Sequence, residues 1–282
     1  MPFIAIHGQF MPEVGTPDGD SVRFKAKNKA HWAKLEGRPP KLSTAEKGKD
    51  SVQLRLEGID SMEKAAQQPL AGQATASLLK RLGYKAGQQA TPAGYILARM
   101  TDDKSGRPIA FAFAGPCPHA DGSDVRLTPA MLRKSLNHQQ AAAGHAYPLY
   151  YNTLFADLRE ELNKAVAKAR TAKAGLWASD KTNQGVTFKG KESLAVIDPV
   201  WPKLWRRLES FAAKGLPLSQ FVAFLEAENE RLDVLDVMEE RGLQDVVKVK
   251  GQTVRMTERP DNLRIRSAAG LRSKPSTSRK KP

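Results

Sequence analysis

Between Val52 and Lys64 the chain reads VQLRLEGIDSMEK, and this stretch constrains the fold more than any other. Val52, Leu54 and Leu56 alternate with Gln53, Arg55 and Glu57, the period of a strand with one buried face. Gly58 then interrupts the pattern, and Asp60, Ser61 and Glu63 follow within four positions. On an ideal strand Arg55 and Asp60 have opposite parity and face apart. Both enter one cleft only if the strand bulges or ends at Gly58. The first expectation is therefore a strand that changes course at that glycine and carries an arginine and two acids to a common place.

The acids stand out because the chain is basic, with a formal net charge of +15 over 282 residues. Residues 1–180 hold 25 Lys+Arg against 17 Asp+Glu, residues 181–262 hold 13 of each, and residues from 263 onward hold 7 basic residues and no acid. Such a distribution points to a polyanionic partner, nucleic acid above all. No apolar run approaches the roughly 18 residues of a membrane span. The segment MPFIAIHGQFMPEV lacks a basic stretch followed by a long apolar core, so no secretory signal is expected. Cys117 is the only cysteine, which excludes an intrachain disulfide and fits a reducing, cytoplasmic compartment.

Punctuation divides the rest. Residues 14–25 read as a strand after an Asp18-Gly19 turn, and 26–50 as a long polar loop. Leu70, Ala74, Leu78 and Leu82 mark a helix ended by Gly83. YILARM and IAFAFA read as strands joined by TDDKSGRP. The segment LTPAMLRKSLNHQQAAAG reads as one helix capped by Thr128. A long helix runs from about Leu154 to Lys173 and stops at Gly175, followed by an apolar Leu176-Trp177 clamp. Beyond residue 180, Trp201, Leu204, Trp205, Leu208 and Phe211 mark a helix entered through Asp198-Pro199. Phe221, Phe224, Leu225, Leu232 and Leu235 suggest a second, longer helix. DVVKVKGQTVRMT reads as a hairpin turning at Gly251. Three segments are expected: an α+β domain over 1–180, a smaller helical and hairpin domain over 181–262, and a disordered basic tail over 263–282.

PDGDSVRF, LRLEGIDSME, DKSGRPIAF and a long helix ending in AGLW together resemble the staphylococcal nuclease (thermonuclease-like) family over roughly residues 14–180. The resemblance implies an OB-fold five-stranded barrel with packed helices and calcium-dependent hydrolysis of phosphodiester bonds, leaving 3′-phosphate and 5′-hydroxyl ends. It implies metal-binding carboxylates at Asp20 and Asp60, a metal-ligating carbonyl at Ser61, a general base at Glu63, and catalytic arginines at Arg55 and Arg107. It places Tyr150, with Tyr151 beside it, where a base-stacking tyrosine would lie, and Lys104 in the turn before Arg107 as a further substrate contact. Met62 stands where the family usually carries proline, and Ser105 where its prototype has an aromatic.

The chemistry of these residue types agrees. Ca2+ takes hard oxygen ligands, and two neighbouring carboxylates without a cation would repel. Arginine forks suit phosphate oxygens and the charge of a pentacoordinate transition state. A rival expectation is a non-catalytic OB-type module that binds nucleic acid or protein. A third makes residues 195–262 a protein-interaction unit with a tethered nuclease. Cys117 and His119, in GPCPH, read as a loop with a free thiol rather than a metal pair.

Overall fold

The computed structural model describes residues 2–63, 68–85 and 92–267. The first half builds one sheet from β1 (Phe3–Phe10), β2 (Arg23–Ala26), β3 (Val52–Gln53), β4 (Arg55–Leu56), β6 (Ala93–Thr101) and β7 (Pro108–Ala114), with β5 (Gly58–Asp60) continuing out of it. The strand order is β3-β2-β1-β6-β7-β4, and β8 (Asp124–Val125) adds to β1. Because β3 and β4 are consecutive pieces of one extended segment, the two ends of this order meet. β3 pairs antiparallel with β2 through Arg23↔Gln53, and β4 pairs parallel with β7 through Arg55↔Ile109. The result is an α+β structure around a nearly closed, barrel-shaped sheet.

The segment Val52–Glu57 keeps its expected alternation in part. Val52, Leu54 and Leu56 are fully buried while Gln53 and Arg55 keep partial exposure, but Glu57 is buried as well. At Gly58 the backbone turns to φ +81°, and a Cβ there would lie 2.5 Å from Leu162 Cδ1. Only glycine satisfies both demands. Past this point the chain leaves β7, and β5 pairs antiparallel with β9 (Tyr147–Tyr151), setting Asp60 opposite Tyr147.

Helices pack around the barrel: α1 (Leu70–Arg81), α2 (Pro129–Leu132), α3 (Leu136–Ala142) and α4 (Ala156–Thr171). The single helix expected over the LTPAMLRKSLNHQQAAAG segment is two. Thr128 Oγ1 accepts from the Met131 amide at 3.3 Å, and Ser135 Oγ accepts from the His138 amide at 3.1 Å, so each short helix has its own cap. The restart at Ser135 turns the fully buried Asn137 toward the β4–β7 seam. Its Oδ1 accepts from the Ala112 amide at 3.0 Å, and its Nδ2 donates to the Glu57 and Ala110 carbonyls at 2.9 and 3.0 Å. β1 carries no alternation because Phe3, Ile4, Ala5 and Ile6 are all buried, so periodicity does not mark it as a strand.

The second half comprises β10 (Val186–Thr187), α5 (Pro202–Ala212), α6 (Phe221–Ala227), β11 (Arg231–Val234), β12 (Glu239–Gly242), β13 (Val247–Lys250), β14 (Thr253–Met256) and β15 (Leu263–Ile265). The hairpin at Gly251 is β13–β14. The long helix expected through Leu235 stops at Ala227. Asn229 takes φ +49°, and Leu232 and Val234 then alternate with Asp233 in a strand. Two further expectations change. Residues 263–265 are not part of a disordered tail, since β15 pairs parallel with β9 through Arg264↔Tyr150. A second sheet, in the order β12-β11-β15-β9-β5, therefore joins the two halves, and one hydrophobic core runs from Phe3 to Ile265. The remainder of the expected tail, 268–282, lies outside the described residues. Among the described residues no helix is long and apolar enough to cross a membrane.

Asn137→Ala should cost about 3 kcal/mol, because it leaves buried backbone groups at the seam without partners at roughly 1–3 kcal/mol each. Urea denaturation of the variant should show a correspondingly lower midpoint with an unchanged slope. A loss below about 0.5 kcal/mol would mean the seam closes without this side chain.

Candidate functional site

Three segments meet beside the β4–β5 turn. The Asp18–Ser21 segment runs along the strand, with the Leu56 amide donating to the Asp20 carbonyl at 2.9 Å. Gly19 makes that approach possible: a Cβ there would sit 2.7 Å from both Ala74 Cβ and Ser61 Cβ. Asp20 Oδ2 accepts the Ser61 amide hydrogen at 2.8 Å, which ties the first acid to the segment carrying the second. Met62, 2% exposed, is sunk in the core, so packing rather than a proline ring holds the backbone between Ser61 and Glu63.

The electrostatics are those of crowded anions. Burial, reinforced by Asp18 and Asp60, pushes the Asp20 carboxyl well above the usual carboxylate range, against a smaller opposing pull from Arg55. Arg55 is mostly buried. Burial works against its charge, but Asp60, Tyr151 and Asp20 more than offset this, and its pKa is raised. The guanidinium carbon lies 5.8 Å from the centre of the Tyr151 ring. Asp20, Arg55, Asp60, Ser61, Glu63 and Tyr151 are thus brought to one place.

Arg107 belongs to an adjoining patch. Arg107 lies two residues before Ile109, the partner of Arg55, and opens on the same face of the sheet as Gln53, which alternates with the buried Leu54 as Arg55 does. Its Nε donates to Asp102 Oδ2 at 3.2 Å and to Ser105 Oγ at 3.0 Å, so the serine standing in the aromatic's position helps to aim the guanidinium. With Arg23, Lys41 and Gln53 it lines a cavity of about 170 Å³. Lys104 is exposed on the same turn, where its amide donates to Asp102 Oδ1 at 3.1 Å. Tyr150 does not face this surface. It is 1% exposed on a strand flanked by β5 and β15, and its hydroxyl donates to Asn163 Oδ1 at 2.6 Å, so no base can stack on it in this arrangement.

Two residues of the cluster carry no signal in the sequence pattern. Glu57, which the alternation assigns to the solvent-facing side, is 6% exposed, and its Oε2 has no hydrogen-bond partner among the described residues. Burial lifts its pKa from 4.5 to about 7, despite the opposing charges of Arg99 and Arg55. The other is Arg206, from α5. Its Nη1 and Nη2 donate to Asp60 Oδ1 and Oδ2 at 3.2 and 2.8 Å, and Nη1 also donates to Glu63 Oε1 at 2.7 Å. Burial disfavours the Arg206 charge, but Asp60 and Glu63 overcome it and raise the pKa. Nothing in the spacing of the sequence connects residue 206 to residue 60.

Among the described residues no three His, Cys, Asp or Glu side chains gather in a group that could hold a metal ion. The donor chemistry nonetheless suits a hard cation. Asp20 and Asp60 are neighbouring oxygen donors, Ser61 adds a carbonyl, and Asp20 is a buried carboxyl with two other carboxylates, Asp18 and Asp60, near it.

The fold and the site together define an α+β barrel protein with a carboxylate–guanidinium cluster on its outer face. Neither a scan against protein-family models nor a search of curated proteins found a match to the chain.

The Glu57 shift makes stability depend on pH. A carboxyl whose folded pKa lies above its unfolded one binds more protons when folded. Its contribution is complete below about pH 4.5 and is lost as pH rises through about 7. The interval corresponds to about 3 kcal/mol. Glu57→Gln should flatten the fall in urea-measured stability between pH 5 and 8. Parallel pH profiles for the two proteins would show that Glu57 does not titrate in this window.

Proposed function

We propose that the chain is a calcium-dependent nuclease of the staphylococcal nuclease type, acting on DNA and also RNA from an OB-type five-stranded barrel. The observation that carries this reading is the convergence of Asp20, Arg55, Asp60 and Glu63 from segments forty residues apart, in the order and chemistry the resemblance implies. Arg107 on the same sheet face supports it.

In this reading Asp20, Asp60 and the Ser61 carbonyl would hold the ion, which when bound supplies polarisation of a phosphoryl oxygen. Glu63 takes a proton from the attacking water as the water oxygen bonds to phosphorus. The P–O5′ bond breaks in line and the departing O5′ takes a proton from solvent water, leaving a 3′-phosphate and a 5′-hydroxyl. Arg55 and Arg107 donate to the equatorial oxygens as their charge increases. The partly exposed Tyr151, rather than Tyr150, is the aromatic available at the edge of the site.

The test is digestion of plasmid DNA and of RNA with calcium, with and without chelator. Cleavage is expected with calcium and should stop on chelation; cleavage that persists after exhaustive chelation counts against the mechanism. Glu63→Gln should lower turnover by about 10² or more while nucleic-acid binding changes little.

A second reading, the non-catalytic OB-type binding module, is favoured by one observation: Arg206 covers both oxygens of Asp60. It predicts binding without cleavage under every metal condition.

The nuclease reading, and the second reading where its partner is nucleic acid, both draw on the C-terminal charge. Arg264 and Arg266 are already engaged by Asp233, at 2.7 and 2.6 Å, so the contribution falls to Arg272, Lys274, Arg279, Lys280 and Lys281. Removing 268–282 in a Glu63→Gln background should flatten the dependence of DNA affinity on salt, by about 0.9 for each phosphate that the segment neutralises. Equal slopes with and without the segment would remove it from the interface.

A further inference from the structure

Arg206 reaches the acids from a helix that does not itself belong to the barrel, and its reach is set by rigid packing. Trp201, at the start of α5, donates from its indole nitrogen to the Pro148 carbonyl at 3.1 Å. Pro148 pairs with Ile59, the residue before Asp60, so α5 is registered directly on the strand that carries the acid. Arg206 lies five residues on, about one and a half turns. Leu204, Leu208 and Phe211 bury the opposite face of the helix, while Lys203 and Arg207 are tied to Glu230. The helix is therefore pinned on three sides and holds the base of the Arg206 side chain in place.

The head of that side chain is held differently. It is 36% exposed, whereas the carboxylate of Asp60 beneath it is 3% exposed. Glu63, at 34%, lies along the same open edge. Rotation about the side-chain bonds can carry the guanidinium outward without moving α5. While it is seated, both Asp60 oxygens and one Glu63 oxygen are engaged, so a cation approaching Asp60 meets the guanidinium's charge and competes with it for those oxygens. Among the described residues Arg206 pairs with Asp60 and Glu63 and not with Asp20. Two guanidiniums, Arg206 and Arg55, thus face the carboxyls of Asp20, Asp60 and Glu63, and a dication entering the site competes with Arg206 for Asp60 and Glu63.

We propose that Arg206 is a resident counter-cation of the Asp60–Glu63 pair that a divalent metal ion must displace, so that α5 sets the metal affinity of the site. The proposal rests on the reading of Asp20 and Asp60 as metal-holding residues, and it is separable from catalysis. The apparent affinity for Ca2+ is the intrinsic affinity multiplied by the fraction of molecules in which the arginine is swung out.

The experiment is calorimetric titration of the full chain with CaCl2, comparing the native protein with Arg206→Gln and Arg206→Lys. Arg206→Gln should bind Ca2+ at least about tenfold more tightly, equivalent to a seated fraction near nine-tenths in the native protein. Arg206→Lys keeps a charge but loses the two-pronged contact, so it should fall between the two. Melting temperatures supply an independent readout, since Ca2+ should raise that of Arg206→Gln more than that of the native protein. Equal or weaker Ca2+ binding by Arg206→Gln, or no binding by any of the three, overturns the proposal. If Arg206→Gln fails to fold, Arg206→Lys decides: unchanged affinity overturns it. Plasmid and RNA digestion on the same samples separates the two claims. Tighter Ca2+ binding without cleavage keeps the proposal and removes the nuclease reading, and cleavage with unchanged affinities does the reverse.

Discussion

Much of this architecture depends on the chain changing partners at Gly58. Up to Leu56 the strand belongs to the barrel and pairs with β7; from Gly58 it pairs with β9. The left-handed backbone at φ +81° and the close approach of Leu162 make the change possible. It has three consequences. The end of β4 closes the barrel against β7, with Asn137 satisfying the backbone groups that the departure would otherwise strand. Asp60 comes to the same side as Arg55 in spite of their opposite parity. And β9 becomes a shared strand, with β5 on one edge and β15 on the other, so that the C-terminal half is built onto the first rather than hung from it.

That shared strand explains how a neutral C-terminal segment takes part in the charge distribution of a strongly basic chain. Its side chains answer specific buried anions and cations. Arg206 neutralises Asp60 and Glu63, Asp261 receives Arg170 in a two-pronged contact, and Asp233 receives both Arg264 and Arg266. Pairs of this kind are costly to break, because removing one partner leaves the other charge buried. The barrel's outer face keeps cations of its own in Arg23, Lys41 and Arg107, which line a cavity beside the acid cluster. A cation-lined cavity therefore adjoins a cluster in which Asp20, Asp60 and Glu63 are mixed with Arg55 and Arg206.

Local pattern served well where one physical demand dominated. The Gly251 hairpin, the α1 stripe and the α4 stripe all have a single buried face and a clear stop signal. It served poorly where two demands overlapped. β1 is buried on both faces and so does not alternate. Leu225 and Leu232 are seven residues apart, a helical spacing, yet Asn229 turns the chain between them into a strand. Glu57 follows the alternation of an exposed face but is covered by the surrounding structure. Tyr150, plausible as a stacking residue from its neighbours alone, is buried with its hydroxyl bonded to Asn163.

The sequence by itself determined the half-buried strand at Val52–Glu57, its interruption at Gly58, the ordered set of arginines and carboxylates, and the excess of positive charge. Each of these depends only on residue type and near-neighbour spacing. The tertiary structure decided which of those charges are balanced and by what. Arg206 is 146 residues from Asp60 in the chain, and its position follows from the pairing of β5 with β9 and the anchoring of Trp201 on that strand. A contact made through a shared strand leaves no periodicity in the sequence, because the two residues are related by the registry of β-strands and not by the rise of any single element.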